Sequence, residues 1–360
     1  MTTRREFLSI SASALALQAS GLALATPATR PLEILFLGGT GFLGPHQINY
    51  ALARGHKVTM FNRGSNAGMY GDNVEEIIGN RDNSIDAGLS ALTNERTWDV
   101  VVDNSGYVPR HVRDSAELFK GRCKRYIYVS TVAVYDFDTG SNFPESAKLA
   151  ELSDPTIEEV TGATYGPLKA ECDRIVRTIY GDVCTIVRPT YVVGPGDHTD
   201  RFTFYVDLVN KGGDVLAPGL PDNEVQWVDA RDLCPWIVTL AENDTPGVFN
   251  AAGPASPMSR NGLLWGLRAL TAKPVNFFWP DTDLLEELEI SMPMMSLERG
   301  STHFENSASM KAGLNYRSLA ETAGDTLKWW QSQDPERRAN PRRWPSPEKM
   351  AAAITRLKSV

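Results

Sequence analysis

The sequence predicts an α/β fold, a doubly wound parallel sheet with a smaller C-terminal lobe, on three observations. Short apolar runs alternate with helical stretches between residues 32 and 189, the pattern of βαβ crossovers. The first run ends at Gly38-Gly39-Thr40-Gly41-Phe42-Leu43-Gly44, a glycine turn between a strand and a helix. After Pro189 the pattern changes to loops rich in Gly, Pro and Asp (194 to 200, 217 to 222), interleaved with shorter elements.

Leu32 to Leu37 reads as a buried strand, short and apolar and ending at glycines. The stretch from Gly44 to Arg54 is helical, with Pro45 suited to a first turn and Gly55 as the stop. Val58 to Phe61 is the next strand. Val100 to Val102 and Tyr126 to Val129 are two more, separated by a helix over Val112 to Lys120. A helix from Tyr165 to about Tyr180 precedes the strand Cys184 to Val187, which Arg188-Pro189 closes. Strands are expected near Glu224 to Val228 and at Val248 to Ala251, and an apolar run at Val275 to Trp279. The proline-bearing tail from Asp334 reads as an extended surface wrap plus a short terminal helix. The expected division is a sheet domain over 29–255 with substrate loops at 190–225, a substrate-capping lobe over 256–330, and a tail over 331–360.

Residues 1–28 read as an address and stand outside the fold. Thr3-Arg4-Arg5-Glu6-Phe7-Leu8 looks like a twin-arginine export signal, followed by weakly apolar Ser9 to Leu24 and the small-x-small pattern Ala23-Leu24-Ala25. The expectation is a periplasmic or secreted protein with no stable membrane anchor after cleavage. Of the 360 residues, 42% are hydrophobic and 22% charged, an ordinary globular composition. The net charge of −8 argues against nucleic acid as a partner. The spacing of Cys123, Cys172, Cys184 and Cys234 matches no metal pattern, so no metal is expected; their disulfide status is left open.

Two motifs carry chemistry. Gly38, Gly41 and Gly44 permit a tight turn and close backbone approach, and the following helix N-terminus then faces a pyrophosphate. The sheet is therefore expected to be of the Rossmann type and to hold NAD or NADP. Asn62 and Arg63 follow the second strand: Asn62 can bond a ribose hydroxyl and Arg63 a 2′-phosphate, which leaves the choice between the two open. In the second motif, Tyr165 and Lys169 lie four residues apart on one helix face, where the ammonium is expected to lower the phenol from its usual ~10. A phenolate beside a nicotinamide moves a proton and a hydride together.

With these residues, and with Asp103-Asn104-Ser105-Gly106, Val129 to Tyr135, Arg188-Pro189, Gly194-Pro195 and Trp227 to Leu233, the chain resembles the extended short-chain dehydrogenase/reductase superfamily, NAD-dependent epimerase/dehydratase group, over about residues 32–330. The resemblance implies Thr131 as the catalytic hydroxyl, with Ser130 able to exchange roles, Tyr165 as general base or acid, and Lys169 on the nicotinamide ribose. It implies cofactor contacts from Gly38, Thr40, Gly41, Phe42, Leu43 and Gly44, from Asn62 and Arg63, from Asn80 near adenine, and from Ser105 and Gly106. Val132 and Ala133 stand where sugar dehydratases of the group have an acidic pair, so dehydration is disfavoured. Val225 stands where nucleotide-sugar epimerases have a phosphate-binding Arg, so a UDP-type substrate is disfavoured. Tyr107, Asp197, His198 and Arg201 are candidates for replacement polar contacts. The expected function is an epimerase or isomerase acting on a carbohydrate-like small molecule by transient oxidation with tightly held cofactor. The alternatives are a net dehydrogenase or reductase and, third, a non-catalytic dinucleotide-binding protein. A homodimer is left open.

Overall fold

The computed structural model describes residues 26–295 and 301–359; most of the expected export signal lies outside them. Seven parallel strands form the main sheet: β1 (Glu33–Leu37), β2 (Lys57–Asn62), β3 (Glu75–Ile78), β4 (Trp98–Asp103), β5 (Cys123–Val129), β7 (Thr185–Pro189) and β11 (Gly247–Ala251), in the order β11-β7-β5-β4-β1-β2-β3. Three parallel pairs flank it: β6 (Asn142–Phe143) with β13 (His303–Phe304), β8 (Tyr191–Val193) with β10 (Trp227–Asp229), and β9 (Gly213–Leu216) with β12 (Val275–Phe278). The strand order reverses between β1 and β4. In a doubly wound sheet that switch point opens the crevice where a ligand binds.

Period-two alternation sorts the strands' side chains into two cores. Ile34, Phe36, Val100, Val102, Ile127 and Val129 face one side with Ile48 and Ala51 of helix α1 (Leu43–Ala53). Leu35, Leu37, Val101, Tyr126 and Tyr128 face the other, with Val112 and Phe119 of α2 (Pro109–Phe119) and Cys172, Ile175 and Val176 of α3 (Tyr165–Tyr180). The expected Rossmann-type sheet is thus present. The sequence reading passed over β3, whose Glu75-Glu76-Ile77-Ile78 is a half-exposed edge strand with no apolar run.

A third core builds the C-terminal lobe. Phe202, Phe204, Tyr205 and Val206 of α4 (Arg201–Lys211) pack with Leu263, Leu264 and Leu267 of α6 (Arg260–Leu267) and with Leu285, Ile290 and Met292. Between them in sequence, α5 (Ala230–Glu242) returns to pack on α1. Loops 190–225 therefore share the lobe's core. So does the tail: Trp344, Met350, Ile354 and Leu357, the last three on the helix Pro347–Lys358, pack against it and Ala353 is buried in it. The expected terminal helix is thus present, with one face against the lobe, while most tail residues stay at the surface. All four cysteines are free thiols, three of them buried.

Candidate active site

The glycine turn leaves β1 with its backbone against two neighbours. The Gly38 amide donates to Phe61 O at the end of β2 (2.9 Å). Gly38 has φ +83°, and a Cβ there would stand 2.8 Å from Ser105 Cβ, so glycine is required. A Cβ on Gly44 would overlap the Gly39 carbonyl; its absence lets α1 start directly over the turn. No side chain caps the start of α1, and the space beside Gly41 is open. Free first-turn amides and an open glycine face suit the pyrophosphate of a dinucleotide.

A buried ion pair holds the β4 side of the crevice. Arg81 donates to both Asp103 oxygens (2.5 and 2.8 Å) and to Ser105 Oγ (2.9 Å). Burial favours the neutral acid, yet the Arg81 guanidinium holds the Asp103 carboxyl below its usual value. Asn104 and Gln47 exchange two amide hydrogen bonds, and Asn104 also donates to Gly38 O (3.1 Å), tying α1 to the turn.

The catalytic candidates come from β5 and α3. Thr131 and Ser130 leave β5, and the Ser130 Oγ is buried without a partner. Thr131 Oγ1 accepts from the Ala133 amide (3.2 Å) and reaches the Tyr165 phenol. Tyr165 is the first residue of α3, and Gly166 beside it lies so close to the Ala133 carbonyl that a Cβ would overlap it. Lys169, one turn on, is buried and donates to Gly106 O (2.7 Å) and Val129 O (2.8 Å), the exits of β4 and β5. Two of its three donors are used; Nζ also lies 4.2 Å from the centre of the Tyr128 ring, and the third donor has no hydrogen-bond acceptor among the described residues.

One expectation is corrected here. Burial pushes the Tyr165 phenol up to about 12, with Tyr107 adding to the rise and Thr131 and Arg201 opposing it. The Lys169 ammonium turns toward the sheet carbonyls, and burial takes it down to about 8. The i, i+4 spacing places both groups on one face, but the lysine sits a turn deeper, against backbone carbonyls.

Gly38, Gly41, Phe42, Leu43, Gly44, Ser105, Ser130, Thr131, Tyr165 and Lys169 all line one cavity of about 520 Å³. Tyr107, Asp197, His198 and Arg201 line it too. Thr40, Asn62, Arg63, Asn80 and Gly106 do not. Asn62 donates to Glu76 (2.7 Å) and accepts from the Gly64 amide (2.5 Å), Arg63 is exposed, and Asn80 accepts from the Asp82 amide (3.0 Å). Gly106 contributes its carbonyl to Lys169. The sequence reading missed Arg81, whose partner Asp103 lies on another strand, and missed Tyr191, Glu224, Gln226, Arg260 and Phe304 on the far wall.

Residues 34–252 match the family described as NAD dependent epimerase/dehydratase family. The chain belongs to that family. With it come NAD as the cofactor and the standing of an enzyme, and the uncapped α1 start, the open face of Gly41 and the free donor of Lys169 fit the dinucleotide. A curated relative is the chloroplast stem-loop binding protein of 41 kDa b of Arabidopsis thaliana, 22% identical over 253 residues, 64% of this chain; the match spans 61% of that protein's length. Among solved structures, the Bordetella bronchiseptica enzyme WbmG in complex with NAD and UDP superposes with a TM-score of 0.64 at 16% identity, over 84% of this chain and 95% of that one. UDP-glucuronic acid 4-epimerase from Bacillus cereus in complex with NAD gives 0.59 at 17% identity, over 82% and 98%. These likenesses establish the shared fold.

Proposed function

We propose that this protein is a redox-neutral epimerase or isomerase acting on a sugar or similar polyol, with NAD held through the cycle. The observation that carries the reading is that Thr131, Tyr165 and Lys169 open onto the same cavity as the glycine turn. Bound there, the nicotinamide supplies a hydride acceptor and donor. Thr131 Oγ1 orients the substrate oxygen. Tyr165 Oη takes the hydroxyl proton and returns it to the carbonyl oxygen on the reverse step. At about 12 the phenol is too weak an acid to work alone near neutrality, so the positive charge of the oxidised ring is needed to lower it. Lys169 braces the β4 and β5 exits and offers its remaining N–H to the cofactor ribose. Val132 and Ala133 carry no acid or base that would eliminate water.

The test is a panel of sugars deuterated at the candidate carbons, incubated with the NAD-loaded protein and followed by NMR. Inversion with deuterium retained and no net NADH is expected; stoichiometric NADH would instead establish a dehydrogenase. We further propose that the chain is exported, supported by Arg4-Arg5 and the small-residue pattern at Ala23 to Ala25. An exported enzyme gains from a cofactor that need not be exchanged. Replacing both arginines by lysine is expected to hold the protein in the cytoplasm; unchanged export would contradict this.

A further inference from the structure

We propose that the substrate carries an oxyanion, a carboxylate or phosphoryl group, bound by Arg201 and Arg260 beside the Tyr191 ring. This rests on the cavity's being a substrate site and names the class of molecule it takes. Arg260, at the start of α6, is only 5% exposed, lines the cavity and has no carboxylate partner among the described residues. Its Nη1 donates to Pro218 O (2.7 Å), and its buried Nε has no partner. Arg201, at the start of α4, stacks its guanidinium 5.0 Å over the Tyr191 ring and donates Nε to Thr199 Oγ1 (2.9 Å). It too lacks an ion pair among the described residues.

The contrast with the rest of the chain makes these two informative. Arg81, Arg125, Arg188 and Arg231 are buried or nearly so, and each faces a carboxylate. A guanidinium does not shed its proton to escape burial, so an unpaired one calls for an anion. Two planar forks that line one cavity and share Tyr191 as a neighbour suit the oxygens of a carboxylate or phosphoryl group. Val225, which lines the same cavity, stands where the resemblance would place an arginine; the charge arrives here from two different helices. Arg201 also bears electrostatically on the Tyr165 phenol, so the anion would lie near the reacting oxygen. The cavity's acids have partners of their own: Glu224 pairs with His303 (2.8 Å), and Asp197 Oδ1 accepts from Thr199 Oγ1 (2.6 Å). The unpartnered Asp197 Oδ2 is left to accept from a substrate hydroxyl.

The test is calorimetry on the full NAD-loaded chain, which keeps the pyrophosphate site filled, with glucose, glucuronate, glucose 1-phosphate and inorganic phosphate as probes. At least one anion is expected to bind tenfold or more tightly than glucose, with Arg260→Gln and Arg201→Gln each removing that preference and leaving NAD retention unchanged. Preference for glucuronate assigns a carboxylate, and preference for glucose 1-phosphate a phosphoryl group. Equal binding of neutral and anionic probes, no binding by any anion, or a preference that survives both substitutions overturns the proposal. Arg201 is half-buried, so its variant remains informative if Arg260→Gln fails to fold. Binding needs no turnover, so a failed inversion assay leaves this measurement intact. Inversion of neutral sugars with no anion preference sinks this inference alone.

Discussion

The sheet half and the lobe half of this protein treat buried cations differently. In the sheet half Arg188 and Asp173, both fully buried, pair at 2.8 Å and tie α3 to β7, and Arg81 pairs with Asp103 beneath the crevice. Lys169 has two carbonyls. In the lobe half Arg260 has one carbonyl and no acid among the described residues. The sheet-half charges fix the framework; Arg260 instead lines a cavity, while other lobe cations such as Arg337, paired with buried Asp200, are structural too. The lesson is that pairing, rather than burial, separates a structural charge from one aimed at a ligand.

The two regions meet at Tyr165, where the largest effect is expected. Tyr165→Phe should lower turnover by about 10²–10⁴-fold while NAD still co-purifies. Unchanged turnover would remove the phenol from the chemistry. Next comes the paired-against-unpaired contrast itself. Asp173→Asn leaves a buried guanidinium uncompensated and should cost about 3–5 kcal/mol in urea denaturation. Arg260→Met removes a charge that already lacks a partner, so its stability should fall within about 1 kcal/mol of the parent or above it. Equal losses in both variants would erase the distinction.

Lys169 sharpens the comparison through pH. Its folded value of about 8 lies below the ordinary 10.5, so between these the folded state binds fewer protons than the unfolded. The penalty is fully present below about pH 8 and is relieved as pH rises toward 10.5, worth about 3 kcal/mol. Unfolding midpoints of the cofactor-free protein at about pH 7 and about pH 10 should show this gain, and Lys169→Met should lack it. The smallest effect is steric. Gly166→Ala forces a methyl against the Ala133 carbonyl and should cost about 1–3 kcal/mol, with kcat falling as the start of α3 retreats from Thr131. An undisturbed kcat would mean the helix start tolerates the shift.

Sequence made local order visible and long-range pairing invisible. The short apolar run from Leu32 to Leu37 signals a buried strand, and Gly38, Gly41 and Gly44 the turn above it. Thr131, Tyr165 and Lys169 could be aligned as a motif, but the direction of the Lys169 ammonium could not, since it depends on carbonyls of Gly106 and Val129 far away in sequence. Arg81 gets its meaning from Asp103, a partner 22 residues on that only the fold brings opposite it. Arg260 carries no local signal at all: it follows a helix-capping serine, and its meaning comes from the missing partner. Asn62 stands at the strand end where a ribose contact is expected, yet its amide donates to Glu76 of β3, a strand without a local apolar signal.

The most direct measurement is the ionisation of Tyr165, taken as the ultraviolet titration of the parent minus that of Tyr165→Phe, with and without oxidised NAD. The account predicts ionisation near 12 in the cofactor-free protein and a clear shift downward when the positive ring is bound beside it. A phenol whose ionisation does not respond to NAD would contradict the shared cleft on which the proposed chemistry depends.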